Sequence, residues 1–245
     1  WKRFNPAWEI MNHKEFESAF KGTHESAFIR YRLNGWTRSE NSWFKTGVFE
    51  ERATERKLQA GERVVLGFDG SVWGDSTAIT ACTMDEPRFI QIIGLWEKPE
   101  GEHSQGWRVS VPEVEDAIRQ ACEDYKVEAI YCDPYRWEQS LHTLAAEGLP
   151  IIEYPTSSVP RMTSATQSFY DAVSDKRMEH SGEPALIRHI GNAVLREDQR
   201  GARITKDRRN SSKKIDLAVS AVLAHHGAVI HVETEEPQEA QLLIL

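Results

Sequence analysis

The stretch Val64-Val65-Leu66-Gly67-Phe68-Asp69 does most to narrow what this chain can become. A short apolar run reads as a strand buried between layers, yet this one stops on a carboxylate, with Gly70 and Ser71 directly after it. An ionised carboxylate is costly to desolvate alone, so the fold must supply Asp69 with a hydrogen bond, a cation or a metal. Two more apolar runs follow closely, over 76–84 and 88–96, separated by a turn-like Asp85-Glu86-Pro87. Connections this short predict an antiparallel meander of three strands.

Beyond the meander the period changes. Over 110–126, Val114, Ala117, Ile118, Ala121 and Tyr125 fall on one helical face, and Ser110 with Glu113 fits a capping box with Pro112 in the first turn. A short apolar strand follows and again ends on a carboxylate, Asp133. A helix stopping at Gly148, a strand near 150–155, helical patterns near 162–176 and 184–195, and an irregular basic stretch come next. The last strong element is an Ala-rich helix opening at Asp216. This order predicts an α/β fold, a mixed sheet with helices on both faces. The domain spans 61–230, after a partly helical connector over 1–60 and before an acidic-then-apolar tail over 231–245.

Charge and composition restrict the partners. The net charge of −8 argues against coating nucleic acid through bulk electrostatics. No apolar stretch approaches the roughly 18 residues of a membrane span, and the first residues lack a signal-peptide pattern, so no membrane partner is expected. Cys82, Cys122 and Cys132 have no metal-ligand spacing and sit in apolar segments, which reads as reduced thiols in a cytoplasmic setting.

Asp69 and Asp133 both close predicted strands, and neighbouring strands would bring them out side by side. Asp216 opens a helix, where the dipole favours negative charge, and that first turn can point at the other two. Each alone has an ordinary structural use, as turn former or helix cap. Three together repel unless divalent cations neutralise them, and Mg²⁺ or Mn²⁺ suits such oxygen ligands. Two ions could activate a water and stabilise the leaving oxygen in phosphodiester hydrolysis. Asp75, in the first inter-strand loop, is an additional ligand or, by preference, a turn residue.

The basic segment places Arg200, Arg203, Lys206, Arg208, Arg209, Lys213 and Lys214 ahead of Asp216, against a single Asp207. Cations there would hold a phosphate backbone near the carboxylates without reading base sequence, with Lys206 and Lys214 the foremost contacts. His225 and His226 lie well inside the last helix and read as packing or surface groups. Trp73 and Trp137 read as core or rim residues, and His103 in the loop after the third strand has little to assign it to a cleft.

The order of elements resembles the ribonuclease H-like fold. The stretches "GFDGS", "GDSTA", "YCDP" and "KKIDLAVSAVLAHH" resemble the nuclease half of large terminase subunits from tailed bacteriophages. The resemblance covers roughly 61–230 well and 1–60 loosely, where "NPAW" and "FIRYRLNGW" look like the stretch joining the terminase ATPase to its nuclease. It implies that Asp69, Asp133 and Asp216 hold two Mg²⁺ or Mn²⁺ ions, and that the chain cleaves double-stranded concatemeric DNA during genome packaging in the host cytoplasm. It further implies portal protein and small terminase subunit as partners. No G-x-x-x-x-G-K-[ST] occurs, so the packaging ATPase domain of the same polypeptide is expected outside these residues. Other readings are a Holliday-junction resolvase or transposase-type nuclease of the same fold, a sugar kinase or chaperone ATPase of a related fold, and a non-catalytic docking module of a packaging motor.

Overall fold

A computed structural model describes residues 13–14, 42–71, 76–99, 106–199, 201–208 and 211–235. Strands β1 (Arg63–Gly70), β2 (Thr77–Thr83) and β3 (Arg88–Trp96) form the expected antiparallel meander. Helix α1 (Val111–Asp124) crosses over to β4 (Lys126–Cys132), which pairs parallel with β1. Helix α2 (Glu138–Ala146) then leads to β5 (Ile151–Glu153), parallel to β4, and helix α3 (Val159–Ser174) leads to β6 (Met178–His180), parallel to β3. Among the described residues these strands form one six-stranded mixed sheet in the order β5-β4-β1-β2-β3-β6.

Helix α4 (Pro184–Asn192), a hairpin of β7 (Val194–Asp198) with β8 (Gly201–Thr205), and helix α5 (Asp216–Glu235) complete the described chain. The hairpin replaces the end of the expected 184–195 helix and the irregular stretch after it, and β6 falls between the two helical patterns, where the sequence suggests no strand. Both are short, and in β8 only Ile204 is buried, against α3 where its N–H reaches Thr166 Oγ1. Half-exposed, charge-rich strands of five residues leave little periodic signal. The capping box at α1 does not form either: Ser110 stands at the N-cap without a side-chain bond. Pro112 already fixes the first turn and removes one amide that a cap would satisfy.

The sheet separates two apolar layers. Strand alternation sends Leu66, Phe68, Ile79, Ile130 and Cys132 toward α1 and α2. Val65, Ala78, Ala129 and Tyr131 face α3, α4 and α5. Helix α5 is apolar nearly all round because it is enclosed by the sheet and its companion helices. Its approach to β1 is close: a Cβ on Gly67 would stand 2.0 Å from the Ser220 carbonyl oxygen. At that crossing Ser220 Oγ donates to Gly67 O at 2.8 Å and lies 2.9 Å from Thr80 Oγ1.

The described part of the expected connector is built into this domain. Trp43, Phe44 and Phe49 are core residues, Trp43 N–H donates to Ala193 O, and the Phe49 ring stacks on His180 with centroids 4.1 Å apart. Likewise, α5 continues to Glu235, past the expected start of the tail. Among the described residues no helix is long and apolar enough to cross a membrane.

Candidate active site

Asp69 is the penultimate residue of β1, and Asp133 directly follows β4. The parallel register pairs Phe68 with Cys132, and the Asp133 N–H donates to Phe68 O at 3.3 Å. Asp69 and Asp133 are therefore neighbours on adjacent strands, whose spacing is about 4.8 Å. Both follow the alternation of the α5-facing residues: Val65, Gly67 and then Asp69 on one strand, Ala129, Tyr131 and then Asp133 on the other.

Asp216 reaches the same corner from the helix. It is the first residue of α5, is only 6% exposed, and accepts a short hydrogen bond from the Ser76 hydroxyl. Ser76 stands just before β2, and its carbonyl accepts the Ser71 N–H at 3.2 Å, one step beyond the Gly70–Thr77 pair that closes β1 against β2. The three aspartates thus sit at one end of one face of the sheet.

The Asp133 side chain is held by neutral partners. Asp133 Oδ1 accepts the Tyr135 N–H at 3.1 Å, and Oδ2 accepts a short bond from the Thr156 hydroxyl in the β5–α3 connection. As they lie, no three His, Cys, Asp or Glu side chains among the described residues form a metal-holding group. The donors nevertheless fit a hard divalent cation in chemistry: three elements each bring a carboxylate to the same edge of the sheet, with the hydroxyls of Ser76 and Thr156 bonded to two of them. Cys132 does not join them. Its side chain points into the opposite layer, where burial first, then the charges of Glu153 and Asp133, push its thiol up and keep it protonated.

Asp75, Arg200 and Arg209 lie outside the described residues, as do Trp73 and His103. Arg203 belongs to β8 and Lys206 follows it directly. Arg208 is exposed, while Lys213 Nζ stands 3.7 Å from Asp207 Oδ2. Lys214 is half-buried and its carbonyl accepts a bond from Asn192 Nδ2 at 2.9 Å. Trp137 is a core residue, edge-on to Phe68. His225 is buried nine residues into α5 from Asp216, about 13 Å along the axis. Cys82, Cys122 and Cys132 are free thiols.

Ser76 and Thr156 are the site residues that sequence reasoning does not assign. Ser76 lies within the quoted "GDSTA" but has no signal of its own, and Thr156 meets Asp133 only through the fold.

Comparison with known proteins places this architecture. The model of the terminase large subunit endonuclease domain matches residues 86–232, more than half of the chain. Asp133 and Asp216 lie inside that span and Asp69 precedes it. The Gene 13 protein of Mycobacterium phage L5 is 30% identical over 182 residues, covering 68% of this chain and 29% of that protein. The chain thus spans under a third of this relative's length. Among solved structures, the large terminase of bacteriophage HK97 superposes with a TM-score of 0.64 at 18% identity, covering 93% of this chain and 53% of that one. The large terminase nuclease of thermophilic phage G20c, crystallised with bound magnesium, gives a TM-score of 0.57 at 14% identity, covering 77% and 98%. At these identities the structures establish the ribonuclease H-like fold, and the sequence match carries the family: the chain belongs to the endonuclease domain of terminase large subunits.

Proposed function

We propose that this nuclease domain cuts double-stranded concatemeric phage DNA during genome packaging, using two Mg²⁺ or Mn²⁺ ions held by Asp69, Asp133 and Asp216. The observation that carries this reading is the shared corner: adjacent strand ends for Asp69 and Asp133, and the Ser76 bond that draws Asp216 to the same edge. The large terminase nuclease of phage G20c, crystallised with bound magnesium and again with bound cobalt, supports the use of divalent ions.

When bound, such ions supply a water activated at neutral pH and stabilisation of the leaving oxygen. The chain contributes the rest. Asp69 closes the strand that lies between β4, which leads to Asp133, and β2, which Ser76 precedes; Thr156 and the Tyr135 amide orient Asp133, and Ser76 orients Asp216. Arg203, Lys206, Arg208, Lys213 and Lys214, with Arg200 and Arg209, draw in the phosphate backbone against the −8 net charge of the whole chain. Asp75, between β1 and β2 in the sequence, adds a carboxylate as ligand or turn former. An ATPase domain of the same polypeptide, portal protein and small terminase subunit complete the motor in the host cytoplasm.

Plasmid nicking in Mn²⁺ tests the mechanism. Asp69→Asn keeps the shape and removes a charge, so cleavage should fall at least about a hundredfold while the melting temperature holds. An Asp69→Asn protein that cuts at the wild-type rate would overturn it.

A further inference from the structure

The first turn of α5 is held from outside by α4. The Leu217 N–H, one of the amides that a helix start leaves without an intrahelical partner, donates to His189 Nδ1 at 3.0 Å. One turn along α4, Asn192 Nδ2 donates to the Lys214 carbonyl at 2.9 Å. Residues three apart share a helix face, so these two side chains grip the backbone on both sides of Asp216, at positions 214 and 217. His189 is itself completely buried, and its Nε2 stands 3.0 Å from Glu97 Oε1. An amide N–H can only donate, so Nδ1 carries the lone pair and Nε2 carries the proton given to Glu97. Arg188 pairs with the other oxygen of Glu97. The imidazole is therefore fixed in tautomer and in rotation by partners at both nitrogens.

We propose that α4 is the positioning element for Asp216: His189 and Asn192 clamp the backbone at residues 217 and 214, and so set the Asp216 carboxylate for a divalent cation. The last clause rests on the metal reading above. The clamp itself rests only on the two bonds and the burial of His189.

The two ring nitrogens can be tested separately, because an Asn side chain places an acceptor near the Nδ1 position and a Gln places its amide near Nε2. Mn²⁺ titration by calorimetry and amide exchange over 214–219 are measured on the full 245-residue chain. His189→Gln, His189→Ala and Asn192→Ala should speed exchange at Leu217 and weaken Mn²⁺ binding by roughly tenfold, the scale of lost outer-shell partners. His189→Asn should return both to within about threefold of wild type. If His189→Ala does not fold, the Gln and Asn variants and Asn192→Ala carry the comparison. A His189→Gln protein that matches wild type in exchange and Mn²⁺ affinity overturns the clamp. So does a lower melting temperature with unchanged Mn²⁺ affinity, which makes His189 a core residue only. Absence of Mn²⁺ binding by the wild-type chain overturns instead the metal reading and the purpose assigned to the clamp, while exchange at Leu217 still decides whether the clamp exists.

Discussion

Burial holds the imidazole of His225 neutral: desolvation first, then the charges of Arg88, His226 and Arg177, push it down from an ordinary 6.5 to about 3. Among the described residues neither ring nitrogen has a hydrogen-bond partner, and the ring meets Phe169 edge-on at 5.6 Å. In the unfolded chain this group takes up a proton near its ordinary value, whereas in the folded chain it does not. Its contribution to stability is therefore complete above about pH 6.5 and is lost as the pH falls toward 3. Between pH 6.5 and 5 the loss is on the order of 2 kcal/mol. His225→Leu should remove that part of the slope, and at pH 7.5 should stay within about 1 kcal/mol of wild type, because it replaces unsatisfied nitrogens with apolar volume. Urea unfolding at pH 7.5 and 5.0 measures both, and parallel slopes for the two proteins would refute the assignment. Asp69, Asp133 and Asp216 are legible in the sequence because each ends or opens a periodic element, so a polar residue stands out against its pattern. Ser76, Thr156 and His189 are not legible. They act on residues 140, 23 and 28 positions away, and hydroxyls or a buried imidazole carry no local pattern that names a distant partner.

At the scale of elements, the meander, the crossover helix and the last helix are readable because their apolar residues recur at strand or helix period over seven or more residues. Strand β6, three residues long, and the β7–β8 hairpin, five residues a side, fall below that threshold and exist through their neighbours. The contact between β1 and α5 matters most to the site, because it sets Asp69 and Asp216 in a common frame. It depends on Gly67 having no side chain. A Cβ there would meet the Ser220 carbonyl oxygen at 2.0 Å and the Ala224 amide nitrogen at 2.6 Å, both of them helix backbone that cannot rotate aside. Gly67→Ala must therefore displace α5 and stretch the bond from Ser220 Oγ to Gly67 O. The expected loss is about 3 kcal/mol, at the upper end of ordinary overpacking, read by chemical denaturation. A variant within about 0.5 kcal/mol of wild type would mean that the helix does not rest on that strand as described.

For the whole molecule, the span that carries the family signature is not the folding unit. Residues 86–232 omit β1 and β2, the two central strands, and omit Trp43, Phe44 and Phe49, which are part of the apolar layer over α3, α4 and α5. Trp43 lies 5.0 Å from Phe169 between ring centroids, Phe49 stacks on His180, and the Thr54 N–H donates to His180 O at 2.9 Å. Removing one large buried aromatic costs about 3–5 kcal/mol. Loss of three together approaches or exceeds the roughly 5–15 kcal/mol that holds a domain folded. A chain of residues 61–245, cut where the sequence pattern changes, should therefore show no cooperative thermal transition and should bind a hydrophobic dye. The single change Trp43→Ala in the full chain should keep the fold and lower its stability by about 3–5 kcal/mol. If the 61–245 chain instead melts cooperatively within a few degrees of the full one, the aromatic segment is an ornament on a self-sufficient domain. If it does not, whatever moves residues 42–58 also loosens the layer that carries α4 and α5, and with it the setting of Asp216.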